Sequence, residues 1–207
     1  MSIAKFIAGQ LRQPAGFFGR RVMVLVLNRM NYSMNTLALE VLQLSPDDHV
    51  LEIGFGGGEL MTRMASAVTR GKIAGADFSI DAVDICTKRF KQLIKSGKVD
   101  LCCANVEELP FEANRFFKVC TVNTIYFWSD PFVALAQIYR VLKKDGRLVV
   151  CFRPREAVKN QKIMQHGFTL YDPEEVGVLL TKAGFRDVQL LHRKYRFEEC
   201  AAAVGKK

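Results

Sequence analysis

No acidic residue precedes Glu40 in this chain of 207 residues, although Lys5, Arg12, Arg20, Arg21 and Arg29 all fall in that stretch. The head is therefore a basic amphipathic segment, open to three readings: a solvated helical face, a helix resting on anionic membrane, or a contact with nucleic acid. Its composition also suits a mitochondrial transit peptide. No apolar run approaches the ~20 residues of a membrane span; the longest near the N-terminus is Val22 to Leu27, which excludes an integral membrane protein. CxxC spacing is missing too. The cysteines (Cys86, Cys102, Cys103, Cys120, Cys151, Cys200) sit mostly in apolar, strand-like runs, where a reduced thiol behaves as a small hydrophobe, so a reducing, cytoplasmic setting is expected. The neighbours Cys102 and Cys103 read as free thiols instead of a strained bridge or a metal pair. There is no Asp/Asn constellation for a divalent metal, no internal repeat and no low-complexity tract.

What is present is a chain with 49% hydrophobic residues, enough for one domain with a substantial core. Its organising stretch is Val50 to Glu59, in which a short apolar run ends in Glu52 and Ile53 and then breaks into Gly54, Gly56, Gly57 and Gly58. A strand, a sharp turn and a helix from Leu60 to Val68 follow from that pattern, and the glycines let a ligand lie against bare backbone. The dinucleotide fingerprint GxGxxG fails at its third glycine, where Glu59 stands, and the GK[ST] ending of a phosphate-binding loop is absent.

Ahead of this turn, Ile3 to Leu11 and Phe17 to Met30 read as two helical pieces broken at Gln13 to Gly16; Ser33 is the expected cap of a third, with Met34, Leu37, Ala38, Val41 and Leu42 on one face. After it, Lys72 to Ala76 is a strand ending at Asp77, where an α/β nucleotide fold holds a ribose by its hydroxyl pair; a helix from Ser79 to Lys95 follows. Phe78 is placed to lie against an adenine edge. Strands are expected at Val99 to Cys103, Phe116 to Val122 and Arg147 to Phe152, with a helix from Pro131 to Leu142. A last helix opens at Asp172, and Phe185 to His192 with Glu198 to Val204 form a closing antiparallel pair. The alternation implies a doubly wound, Rossmann-like sheet with its ligand at the strand C-terminal ends.

Glu52 to Gly58 reads ExGxGxG and resembles the first motif of the class I S-adenosylmethionine-dependent methyltransferases. Ala104 to Phe111 is similar to the adenine-binding stretch of quinone-type and related small-molecule members, and the Lys143 to Gly146 turn is again usual there. The resemblance covers about Val50 to Cys151, with its motifs in order, and more loosely the closing strands. It implies seven strands in the order 3-2-1-4-5-7-6 with strand 7 antiparallel, an N-terminal helical lid over residues 1–44 and the methyltransferase domain over 45–207. It further implies S-adenosylmethionine as cofactor, held by Glu52, Gly54, Gly56, Gly58, Asp77, Phe78, Asn105, Val106 and Asn123.

Lys118 departs from an acid common in that family, with an effect expected only at the surface. Asn123 and Tyr126 resemble the NPPY motif of amino-group methyltransferases without its prolines, so that chemistry is not carried over. Tyr126, Phe127 and Trp128 read either as core and lid packing or as a face for a cation. Tyr126 and His166 are the candidate catalytic residues, His166 because its ordinary pKa suits proton removal near neutrality; an exposed loop histidine is the plainer account. The expected activity is methyl transfer by in-line displacement to a small-molecule or membrane-borne acceptor, with peripheral contact to anionic membrane through residues 3–31. The alternatives are an RNA methyltransferase, supported by charge alone, a non-catalytic S-adenosylmethionine-binding protein, and a nucleotide-dependent oxidoreductase, against which Glu59 argues.

Overall fold

The computed structural model describes Gly9, residues 31–195 and residues 198–207. The expected lid pieces and the basic contact through residues 3–31 fall outside the described residues except at Gly9 and Asn31. Seven strands form one sheet: β1 (His49–Ile53), β2 (Lys72–Asp77), β3 (Val99–Cys103), β4 (Phe116–Val122), β5 (Leu142–Phe152), β6 (Arg186–Tyr195) and β7 (Glu198–Lys206). Their order is β3-β2-β1-β4-β5-β7-β6, as expected. The first five run parallel, and β7 pairs antiparallel with both β5 and β6. The chain winds outward from β1 through β2 to β3, then returns to the other side of β1 with β4. Strand tips at that reversal separate and leave a crevice.

Both sheet faces are buried, which is why the parallel strands read as near-continuous apolar runs. On one face α1 (Tyr32–Leu42) packs Met34, Leu37, Ala38 and Leu42 beneath β4, β5 and β7, and α2 (Glu59–Ala67) adds Leu60, Met61 and Met64. On the other, α5 (Pro131–Val141) and α7 (Pro173–Lys182) bury Leu135, Ile138, Val176 and Leu180. Between these lie α3 (Ile80–Arg89), α4 (Lys91–Lys95) and the short α6 (Arg155–Val158).

Several boundaries differ from expectation for identifiable reasons. Ser33 does not cap α1; Asn31 occupies the cap position without making a capping bond, because its side chain is used elsewhere. The single helix expected over 79–95 is capped by Ser79 and then interrupted at Phe90, whose ring is buried against Cys86 and the glycine turn. Between its pairings with Phe116 and Lys118, β5 advances from Leu142 to Arg147, so Lys143 to Gly146 bulge out as the expected turn inside a longer strand. Lys118 is not a surface variation. Its ammonium pairs with Asp48 at 2.8 Å, with the two side chains only 14% and 10% exposed, and also donates to the Gln43 carbonyl, tying the α1–β1 connection to β4.

Candidate functional site

The site is built at the C-terminal tips of β1, β2, β3 and β4. Gly54, Gly56 and Gly58 all take positive φ (72°, 49° and 72°), the left-handed region that side chains disfavour. A Cβ at Gly54 would overlap the Thr124 methyl group, and one at Gly58 would press on Phe90 and Cys86, so these two glycines are required by packing. Gly56 is different. Nothing lies within 4 Å of where its Cβ would stand, so the turn faces open space there and a ligand has direct access to backbone. Phe55 turns inward over Gly75 and anchors the turn in the core.

Asp77 holds this turn from the next strand. One carboxylate oxygen accepts from the Gly56 N–H at 2.8 Å, and the other accepts from the Ser79 N–H at 2.8 Å. Burial pushes its pKa up, against the pull of those two N–H groups. Glu52 lies deeper, 3% exposed, and one of its carboxylate oxygens has no hydrogen-bond partner among the described residues. Burial first, and then the charge of Asp77, push its pKa up to about 8, while the Met61 N–H pulls the other way. Glu52 and Asp77 thus set two buried carboxyl groups, their pKa values raised by burial, at the root of the glycine turn. Glu59, the residue in place of the third glycine, opens α2 and pairs with Arg89 at 3.1 Å, while Arg89 also donates to the Gly57 carbonyl at 2.5 Å.

Phe78 and Ile80 leave the β2 tip with their side chains 54% and 58% exposed, an apolar ledge beside Asp77. At the β3 tip Asn105 is exposed and its amide oxygen accepts from the Glu107 N–H at 3.0 Å, with one lone pair to spare, while Val106 is buried. Glu107 in turn accepts from the Ser129 and Asp130 N–H groups, which fixes the β3 tip against the start of α5.

Asn123, at the β4 tip, has φ 58°, an uncommon conformation for a residue other than glycine and one that clusters at functional sites. Its amide nitrogen donates to the Asn31 side chain at 2.8 Å, and its amide oxygen accepts from the Tyr126 hydroxyl at 3.1 Å. Tyr126 is buried, and its hydroxyl also accepts from the Arg153 N–H at 2.5 Å. Burial holds the phenol proton on at neutral pH. Tyr126 is thus a neutral anchor and not an acid or base. Arg153 pairs with Glu198 at 2.7 Å. The rings of Tyr126, Phe127 and Phe168 cluster against this tip, with Phe127 and Phe168 4.8 Å apart.

His166 ends a 3₁₀ turn (Lys162–Gln165) and is half-buried; its side chain is not among the groups that join the Asn123 network. Thr169, three residues on, donates its N–H to the Tyr126 carbonyl, so the His166 segment is docked onto the site. The structure thus brings Glu52, the three glycines, Asp77, Phe78, Asn105, Val106, Asn123 and Tyr126 to one end of the sheet, with His166 on the adjoining segment. Sequence reasoning missed Asn31, Arg89 and the Arg153–Glu198 pair. No motif marks them, since each acts through a partner at least 30 residues away in the chain. No group of three or more metal-ligating side chains occurs among the described residues.

Residues 51–150 match a methyltransferase domain family. The chain is 28% identical over 178 residues to an uncharacterized methyltransferase, YdaC, of Bacillus subtilis, covering 86% of this chain and 93% of the relative. It is 25% identical over 138 residues to the ubiquinone/menaquinone biosynthesis C-methyltransferase UbiE of Geotalea daltonii, covering 66% and 57%. Among solved structures, a SAM-dependent methyltransferase from Aquifex aeolicus superposes with a TM-score of 0.74 at 19% identity, covering 89% of this chain and 96% of that one, a likeness of fold. The sheet order, the glycine turn and the domain match agree with one another and place this chain among the class I S-adenosylmethionine-dependent methyltransferases, enzymes whose cofactor is S-adenosylmethionine.

Proposed function

We propose that the methyl acceptor is a small, largely apolar organic molecule or a membrane-borne one, and that it enters against the Tyr126, Phe127 and Phe168 rings. The observation that carries this reading is that aromatic cluster at the β4 tip, beside the glycine turn. The Arg153 guanidinium, next to Tyr126 in the hydrogen-bond network, is ion-paired with Glu198. Kinship with a quinone-biosynthesis C-methyltransferase points the same way.

In this reading the Gly54 to Gly58 turn takes the amino-acid end of the cofactor, with the Glu52 and Asp77 carboxyl groups beneath it. Asp77 keeps one carboxylate oxygen toward the turn and accepts from the ribose hydroxyls. Phe78 covers one adenine face, and Asn105 with the Val106 N–H reads its edge. The sulfonium supplies an already activated methyl group, so the protein's work is alignment and exclusion of water. Asn123, held by Asn31 and Tyr126, sets the donor end; Tyr126 acts as a positioning residue. Where the acceptor atom carries a proton, His166 is the group assigned to remove it.

Calorimetric titration of S-adenosylmethionine and its demethylated product, with NAD as control, tests the pocket on wild type and Asp77→Ala. Binding of both sulfur compounds but not NAD, lost in the variant, is the expected result. Acceptors are then screened with and without anionic vesicles. Turnover confined to nucleic acid would reject the small-molecule reading.

A further inference from the structure

The end of the sheet opposite the glycine turn carries a feature that methyl transfer does not use. In register, His49 pairs with Lys72, Val50 with Lys118 and Phe116 with Leu142, so Lys72, His49, Phe117 and Lys143 stand on consecutive strands β2, β1, β4 and β5. At the ~4.8 Å spacing of neighbouring strands the row is about 14 Å long. Its members touch. The Lys143 ammonium lies 3.8 Å from the centroid of the Phe117 ring, and the His49 ring meets that ring edge-on at 6.2 Å. Phe117 is nonetheless 41% exposed, unusual for a large apolar side chain at a strand start.

The row is electrostatically unfinished. The acids nearby are already taken: Asp47 by Arg70, Asp48 by Lys118, Asp100 by Arg115. Lys72, Lys143 and Lys144 have no ion-pair partner among the described residues. His49 registers this excess, its pKa held below the ordinary value by burial and then by Lys143, Lys72 and Arg115, with only Asp48 opposing. Beyond Lys72 the row opens into a cleft of about 500 Å³ that Lys72 shares with Thr69, Ser96, Gly97 and Lys98. The Lys98 ammonium is committed to the Val68 and Gly71 carbonyls and Arg70 to Asp47, which leaves Lys72 as the cation at its lip without an ion-pair partner among the described residues.

We propose that this row binds single-stranded nucleic acid, with Lys72 and Lys143 on phosphates and a base stacked on the open face of Phe117. Alternation of cations with an exposed ring along a narrow track is what a single strand requires, since its phosphates and bases alternate in the same way. A lipid surface calls for several protruding apolar side chains on one plane, and here a lone phenylalanine stands between cations. The row lies about 16 Å from the strand tips, the length of a five-residue strand, so it is an anchoring surface and not the methyl-acceptor site. The inference is independent of what the acceptor is.

The test is fluorescence anisotropy of a labelled oligouridylate of about twelve nucleotides with the full chain, with S-adenosylmethionine binding measured on every variant as the check of fold. Phe117→Ala weakens binding at least about fivefold, the low end for loss of one base-stacking ring, and Phe117→Leu, which keeps apolar volume without a ring plane, does the same. The double variant Lys72→Ala/Lys143→Ala lowers the slope of log affinity against log salt by about 1.4, two phosphates at ~0.7 each. In wild type, the oligonucleotide raises the His49 pKa read by NMR. The proposal is overturned by absence of binding to wild type, or by binding that all three variants retain, which would move the contact to the basic head. It is equally overturned by phosphatidylserine vesicles, and not the oligonucleotide, showing the dependence on Phe117.

Discussion

Glu52→Gln is expected to stabilise this protein at neutral pH. The carboxyl is 3% exposed, one oxygen lacks a partner among the described residues, and its pKa stands at about 8 against an ordinary 4.5. Because the folded-state value is the higher one, the folded protein binds the extra proton between these limits. Stability therefore falls as pH rises from 4.5 to 8 and is level above it. At 1.36 kcal/mol per unit, the cost at pH 7 is about 3 kcal/mol, and at pH 8 and beyond about 5 kcal/mol, both upper estimates. Against a typical domain stability of ~5 to 15 kcal/mol this is a large effect. Urea denaturation of wild type and Glu52→Gln between pH 5 and 9 reads it directly: the two curves meet near pH 5 and diverge as pH rises, the variant staying flatter. Asp77, whose pKa is also raised, leaves a slope of the same sign in the variant. A wild-type stability that holds or climbs from pH 5 to 8, or a variant no more stable at pH 8.5, would refute a neutral buried carboxyl at Glu52.

Gly54→Ala places a methyl group into Thr124 at φ 72° and is expected to cost about 1 to 3 kcal/mol of stability, visible as a lower thermal midpoint, with Gly56→Ala costing less stability but more cofactor affinity. Asp77→Ala frees the Gly56 and Ser79 N–H groups as well as removing a ribose acceptor, so affinity for S-adenosylmethionine should fall more than tenfold, about 1.4 kcal/mol or more by calorimetry. Tyr126→Phe removes the part-buried hydrogen bonds to the Arg153 N–H and the Asn123 side chain and should cost about 1 kcal/mol in denaturant. It leaves the pH profile of turnover unchanged, since the phenol does not titrate in the working range. His166→Gln, by contrast, should lower turnover of acceptors that lose a proton while leaving S-adenosylmethionine affinity unchanged, as kinetics and calorimetry on the same variant would show.

The fold was legible because its determinants are local. Each parallel strand announces itself as a short apolar run closed by a glycine or a polar tip, and the alternation with helices admits few topologies. The glycine turn and Asp77 were legible for the same reason, since a turn with three positive φ values can be written in sequence only with glycine. What could not be read was whatever depends on a distant partner. Lys118 looked like surface variation because Asp48 and Gln43 lie some 70 residues earlier, and only the pairing of β1 with β4 brings them within reach. Phe90 splits a helix whose periodicity runs on without a break, because its ring is wanted under Gly58. Tyr126 could be singled out from its place after β4, but its bonds to Asn123 and Arg153 could not, because Arg153 lies 27 residues on.

Those bonds explain how the β4 tip is held. Asn123 must adopt φ 58° to leave β4 and bring its side chain beside the glycine turn, a conformation costing on the order of 1 kcal/mol or more unless its surroundings enforce it. Four contacts do so: the Asn123 N–H donates to the Cys151 carbonyl, the Asn31 and Tyr126 side chains take both ends of its amide, and Arg153 grips Tyr126. These partners come from the start of α1, from the 3₁₀ turn Ile125–Phe127 that follows β4, and from Cys151 of β5 with Arg153 just beyond it, which is itself tied to β7 through Glu198. Any displacement of α1 at Asn31 therefore reaches Asn123 through one side-chain hydrogen bond. Asn31→Ala should accordingly weaken cofactor binding while leaving the core packing of Met34, Leu37 and Ala38 intact, and an equal loss of affinity and of thermal stability would show instead that Asn31 serves only to start its helix.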